Sequence, residues 1–285
     1  MDFFQAIVNG LLIGGVYAVI SIGLTLVFGV MSIINFAQAE FLMIGMFVGY
    51  YCWEAFGLDP ILGSFVAFGV AFALGVLIQR FLIERVIDAP DVAQIFLTVG
   101  LLIVLENLAL VLFGSEFKSV RTGYQTSAIA IAGLIISVPY LFAFGVSVVV
   151  GIALWAFLRF TWIGQAMRAT AQNGIAALSL GIDVRRVRQL AFGLGVGLTA
   201  LGGSVILPYY TASPTAGGQF VVLMFTVVVL GGLGSVLGAV FGGLAVGVIQ
   251  SVSTLFMPIQ LQNLALFVVF IAMLAVRPQG LLSTR

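Results

Sequence analysis

The chain has 285 residues, 62% of them hydrophobic and 7% charged, and its mean hydropathy of +1.26 lies outside the range of water-soluble globular domains. Eleven Lys and Arg against ten Asp and Glu leave a net charge of +1, which argues against nucleic acid as a partner. Histidine is absent and the single cysteine, Cys52, can make neither an internal disulfide nor a thiolate-rich metal cage, so a catalytic site and a metal site both lack their usual side chains.

Apolar runs of about 20 residues, long enough to cross a hydrocarbon core about 30 Å thick as helices, recur from end to end. They are continuous rather than alternating, which excludes a membrane barrel and predicts an all-α, polytopic transmembrane helical bundle. No Gly/Ser-rich or Pro-rich linker divides the chain, so residues 1–285 read as a single transmembrane domain. Spans are predicted at 7–30, 36–53, 61–83, 94–113, 138–158, 190–210, 219–233, 236–256 and 260–276. The opening MDFFQAIVNG carries Asp2 and no Lys or Arg, so it reads as the start of a permanent helix rather than a cleaved signal. Residues 114–137 are too polar to span and read as an external loop with a short surface element. The run 219–233 is short and ends in GGLGS at 231–235. Residues 219–256 are therefore either two spans or one broken, re-entrant element, which gives eight or nine membrane segments.

Orientation follows from the cations. With the 159–189 loop in the cytoplasm, alternation also places Arg80, Arg85, Arg277 and Arg285 there and leaves Lys118 and Arg121 outside, as the positive-inside rule requires. The amino terminus is then external and, with nine spans, the carboxyl terminus internal. Pro60, Pro90 and Pro278 fall at span ends, and Pro208 with Tyr209 and Tyr210 reads as an interfacial anchor at the outer end of its span. Glycine repeats every fourth residue at Gly10 and Gly14, at Gly193 and Gly197, and at Gly234, Gly238 and Gly242, giving small faces on which helices approach closely. GGLGSVLG lacks the Gly-Lys-Ser/Thr of a phosphate loop, so no nucleotide site is expected in it.

Acids inside a membrane are costly, and they mark candidate sites. Glu40 and Glu106 are the two within predicted spans. Helical spacing groups Glu40 with Phe36, Met43 and Phe47, sets Asn35 and Gln38 on a neighbouring face, and leaves Asn107 beside Glu106. Such a mixture of acid, amides and apolar surface suits a solute with a polar head and an apolar tail. Interhelical hydrogen bonding by Glu40 fits the same pattern equally well. Asn35, Gln38, Glu40, Glu106 and Asn107 are accordingly the translocation-path candidates.

The longest water-compatible stretch is 163–189. Met167, Ala171, Ile175 and Leu178 fall on one helical stripe with Arg168 and Gln172 on another, Asn173-Gly174 signals a helix break, and Gly181 follows Leu180 where a helix end favours glycine. Two short helices across the cytoplasmic face are expected, beside Arg185, Arg186 and Arg188. An apolar stripe on them is of use only to an element that docks.

In IAALSLG (175–181), Ala176, Ala177 and Gly181 match the EAA…G signature of ABC-importer permeases, with Ile175 in place of the usual acid. Together with NGLLIGGVYAVISIGLTLVFGVMSIINFAQAEFLMIG (9–45), RATAQNGIAALSLGID (168–183) and VRPQGLL (276–282), the chain resembles the branched-chain amino-acid permeases of high-affinity ABC importers, of the smaller of two related types. The resemblance implies a bacterial inner-membrane subunit paired with a second, related permease. It further implies two cytoplasmic ATPase subunits below, a periplasmic solute-binding protein above, and Leu, Ile or Val as cargo. It implies no cofactor in this chain, ATP and Mg being held by the ATPases, and no enzymatic activity of its own. Segment 163–189 becomes the coupling element, with Arg168, Gln172, Asn173, Ala176, Ala177, Gly181 and Asp183 as the ATPase contact. Relatives for urea or short amides share these motifs. An ion-coupled secondary transporter using Glu40 and Glu106, or a non-transporting scaffold, are readings of other classes.

Overall fold

A computed structural model describes residues 2–131, 133–258, 261–276 and 280. Eleven α-helices account for most of them: α1 (Asp2–Met31), α2 (Gln38–Phe56), α3 (Pro60–Phe81), α4 (Asp91–Phe113), α5 (Val138–Phe160), α6 (Trp162–Gln172), α7 (Gly174–Ser179), α8 (Val184–Val205), α9 (Ala216–Gly231), α10 (Val236–Ser253) and α11 (Gln262–Val276). Strands β1 (Ala128–Ile131) and β2 (Leu134–Ser137) form an antiparallel hairpin, the surface element expected between α4 and α5. Arg277, Pro278 and Arg285, used above for orientation and span ends, lie outside the described residues, as does most of VRPQGLL.

Among the described residues, α1, α3 with the short turn that follows it, α4, α5 and α10 are long and apolar enough to cross a membrane, while α9 and α11 are apolar but shorter. α2 and α8 run in the same bundle. The first carries Gln38, Glu40 and Glu54, and the second opens on Arg185, Arg186 and Arg188. α1 is buried over most of its length, whereas α4 and α5 bury little of theirs, so α1 is the central post.

Glycine makes that packing possible. Gly10 and Gly14 let α1 lie antiparallel on α10, where a methyl on Gly14 would stand 2.7 Å from the Gly243 carbonyl oxygen. Gly193 and Gly197 receive Phe72, Val76 and Phe68 of α3, and Gly238 and Gly242 lie against Gly231 and Val227 of α9. Gly234 instead sits in the turn between α9 and α10 with φ +85°, beside Gly29. α9 and α10 thus form a tight antiparallel hairpin. Larger side chains fill the core in two clusters, one around Met43, Met46, Phe47 and Met224, the other around Phe41, Met167, Phe192 and Val196.

The molecule has two distinct polar ends. At one, Lys118 and Ala212 exchange backbone hydrogen bonds of 2.9 and 2.8 Å, and the Tyr124 hydroxyl donates to Asp59 at 3.0 Å. Burial and the Asp59 carboxylate both raise the pKa of Tyr124. Tyr209 packs on Tyr140 and Tyr210 on Phe220 at this end, so these tyrosines help close the bundle as well as edge it. At the other end lie α6, α7 and the turn after α3, where Arg185 pairs with Glu84 at 3.7 Å and Gln79 donates to Glu84 at 2.6 Å.

Two expectations need correction. The second span does not begin at residue 36. Residues 32–37 leave the helix, with Ser32 at φ +56°, and α2 starts at Gln38. Phe36 therefore does not share a helical face with Glu40, and packs instead on Phe225 of α9 with ring centroids 5.0 Å apart. The helix of the sixth predicted span, α8, begins at Val184 rather than 190, since Asp183 caps it by accepting from the Arg186 amide at 3.1 Å and pairs with that side chain at 2.9 Å.

Candidate functional site: a coupling surface and an interior polar cluster

The polar segment folds as two short helices. Thr161 caps α6 by accepting from the Gly164 amide at 3.0 Å. Asn173 ends α6 and starts α7, its Oδ1 accepting from the Ile175 and Ala176 amides at 3.0 Å each. The far end of α7 is closed as firmly. Gly181, at φ +81°, donates to the Leu178 carbonyl at 3.0 Å, and Ile182 donates to that of Ala177 at 3.1 Å, the paired bonds of a left-handed glycine terminus. Six residues would not hold a helix by propensity alone, and the two caps are what define this one.

The single stripe expected through Met167, Ala171, Ile175 and Leu178 does not survive the break at Asn173. Met167 is buried and Ala171 half-buried on α6, whereas Ile175 is 81% and Leu178 63% exposed on α7, with Leu180 at 81% beyond it. The change of helix direction turns the second half of the stripe outward. Ala177 is buried and Ala176 exposed. Arg168, Gln172, Asn173, Gly181 and Asp183 are exposed as well, so six of the seven residues assigned to a contact share this surface and Ala177 supports it from within.

The interior candidates divide. Asn35, Gln38 and Glu40 come together where α2 begins. Asn35 Nδ2 donates to Gln38 Oε1 at 2.9 Å and its Oδ1 accepts from the Ala37 amide at 3.2 Å. Gln38 Nε2 donates to Thr199 Oγ1 at 2.8 Å, and that hydroxyl reaches the Ile20 and Gly195 carbonyls at 3.1 Å. Glu40 is 1% exposed, and its Oε2 has no hydrogen-bond partner among the described residues. Its carboxylate lies against Gly217 in the first turn of α9, where a methyl would collide with it. Glu106 is half-buried on α4, with no hydrogen bond to the cluster among the described residues. Asn107 stands apart: it is exposed and donates back to the Ile103 carbonyl of its own helix at 2.8 Å. Thr199 and Gly217 escaped sequence reasoning, because a threonine and a glycine within apolar runs carry no local mark of the partner they meet.

A cavity of about 1440 Å³ opens between α5 and α10 with α1 as its floor. Phe144, Val148, Ile152 and Leu244 give it apolar walls, and Arg159, Arg168, Gln172 and Ser32 also line it, the first three at the end where α6 lies. Arg168 and Gln172 therefore belong both to α6 and to this opening. Among the described residues, no group of three or more Cys, Asp or Glu side chains could hold a metal ion.

A helical bundle with apolar spans, a buried polar cluster and a capped helical foot on its basic end defines a multi-pass membrane transport subunit. The chain belongs to the family described as branched-chain amino acid transport system / permease component, whose model matches residues 6–276. It is 30% identical to the high-affinity branched-chain amino acid transport system permease protein LivH of Escherichia coli K12, over 99% of this chain and 96% of that one. The corresponding BraD protein of Pseudomonas aeruginosa is also 30% identical, with the same coverage. PsaBC from Streptococcus pneumoniae, solved in complex with Fab, shares the fold at a TM-score of 0.52 and 14% identity, over 98% of this chain and 93% of that one.

Proposed function

We propose that the chain is the membrane-spanning subunit of an ATP-driven importer of Leu, Ile and Val in the bacterial inner membrane. It crosses the membrane nine times, with α9 and α10 as separate segments, and pairs with a second, related permease. Two cytoplasmic ATPases hold ATP and Mg and do the hydrolysis, and a periplasmic binding protein delivers the cargo. The observation that carries this reading is α7: a six-residue helix capped at both ends that turns Ile175, Leu178 and Leu180 outward. Exposed apolar side chains on a rigid peg fit a cleft on a motor protein, and that contact converts ATPase closure into movement of the bundle. The solute crosses near Asn35, Gln38 and Glu40, among Met and Phe side chains that suit a branched aliphatic tail.

Ala176→Arg tests the coupling without disturbing the bundle, because Ala176 faces outward; Ala177, buried at 2% exposure, would report packing instead. In vesicles carrying the whole assembly, the variant inserts normally, loses co-purifying ATPase and stops importing radiolabelled leucine. Wild-type uptake by Ala176→Arg would falsify coupling through α7. The amides and hydroxyl of Asn35, Gln38 and Thr199 also favour a second reading, a relative for urea or short amides. A panel of radiolabelled solutes offered to the same vesicles decides between the two.

A further inference from the structure

The Glu40 carboxylate is buried, has an unbonded Oε2 among the described residues, and is lodged against the first turn of α9. α9 begins at Ala216 after Thr215, and no side chain caps it. The free amides and dipole of such an end make an anion seat. A side chain at position 217 points back toward that end, so the carboxylate that fills its place lies beside the first turn of α9. Glu40 is also in the first turn of α2, which likewise has no side-chain cap. The carboxylate therefore stands beside the first turns of two helices that lack side-chain caps. Among the described residues its Oε2 is nevertheless without a hydrogen-bond donor, and leaving a buried carboxyl oxygen unbonded is costly unless a partner arrives during function. Access is short: next to buried Gly217, Gly218 and Gln219 are exposed, and among the described residues a methyl at Gly218 would meet nothing within 4 Å.

We infer that Glu40 is a resident stand-in for the carboxylate of an α-amino acid. In the closed state it occupies the α9 seat. When the bundle opens, the carboxylate of the solute takes that seat at Gly217 and Gly218, and the displaced Glu40 pairs with the solute's ammonium group. The site thereby reads both charges of a zwitterion and disfavours a neutral amide, which can hydrogen-bond to the seat and the freed acid but brings a full charge to neither. This inference rests on the transport reading above and narrows its cargo to zwitterionic amino acids.

The test uses the full assembly in vesicles, with the binding protein outside and radiolabelled leucine as probe. Glu40→Gln keeps size and removes charge; it lowers leucine uptake about tenfold or more, while ATP hydrolysis stimulated by the binding protein and the thermal unfolding midpoint stay at wild-type values. Glu40→Asp restores part of the uptake. Leucine import by Glu40→Gln at the wild-type rate overturns the inference. So does a fall in its unfolding midpoint matched by loss of stimulated hydrolysis, since the acid is then structural. If the wild-type assembly imports urea or short amides and no amino acid, the cargo reading itself fails. If it imports leucine and the Gln variant does so equally, only the exchange fails.

Discussion

Removing one side-chain oxygen should loosen the coupling helix by a calculable amount. Asn173→Ala deletes the Oδ1 that accepts from the Ile175 and Ala176 amides at 3.0 Å each. Loss of such a cap costs about 1 kcal/mol, equivalent to about a fivefold fall in the folded population of the helix. In a long helix that loss is diluted, but α7 has six residues and no propensity reserve to absorb it. Amide exchange at Ala177, Leu180 and Gly181, which bond within α7 or its terminus, should therefore quicken about fivefold. On the proposed coupling role, uptake by the reconstituted assembly should fall by a similar factor, since an ATPase seated on α7 would have to order the helix before pushing on it. Asn173→Asp keeps the acceptor and should behave as wild type in both assays. Faster exchange with undiminished uptake would show that the order of α7 is irrelevant to transport, and unaltered exchange would show that the cap does not hold the helix.

Two further outcomes concern the bundle. Gly14→Ala places a methyl 2.7 Å from the Gly243 carbonyl oxygen and should cost about 1–3 kcal/mol, read as a lower unfolding midpoint in detergent; Gly145→Ala, which meets nothing within 4 Å, is the silent control. Thr199→Val leaves Gln38 Nε2 without its acceptor and should destabilise by about 1–3 kcal/mol, whereas Thr199→Ser should recover most of that.

What the sequence made legible was local. Continuous apolar runs located the long helices, Asn173-Gly174 marked the break between α6 and α7, and Gly181 marked the end of α7, because each rests on the conformational habits of a few neighbouring residues. The break after α1 was legible in part: the predicted spans leave 31–35 between them, but Phe36 and Ala37 continue the apolar pattern and concealed its last two residues. The exposed half of the α6–α7 stripe was misjudged for a related reason, since spacing rules assume one axis and Asn173 ends it. The interior cluster needed contacts across the chain. Gln38 and Thr199 are 161 positions apart, and Gly217 meets Glu40 from another helix still. Glu40 itself could be singled out because an acid in an apolar run is conspicuous, but its neighbours could not.

The caps of α7 divide labour among its residues. Asn173 and Gly181 settle the shape of the peg, while Ile175, Leu178 and Leu180 contribute nothing to that shape and present its outer surface. On the proposed docking of α7 with a motor protein, partner choice can thus drift independently of architecture: a handful of outward side chains could be exchanged to suit a different motor, with no redesign of the bundle above.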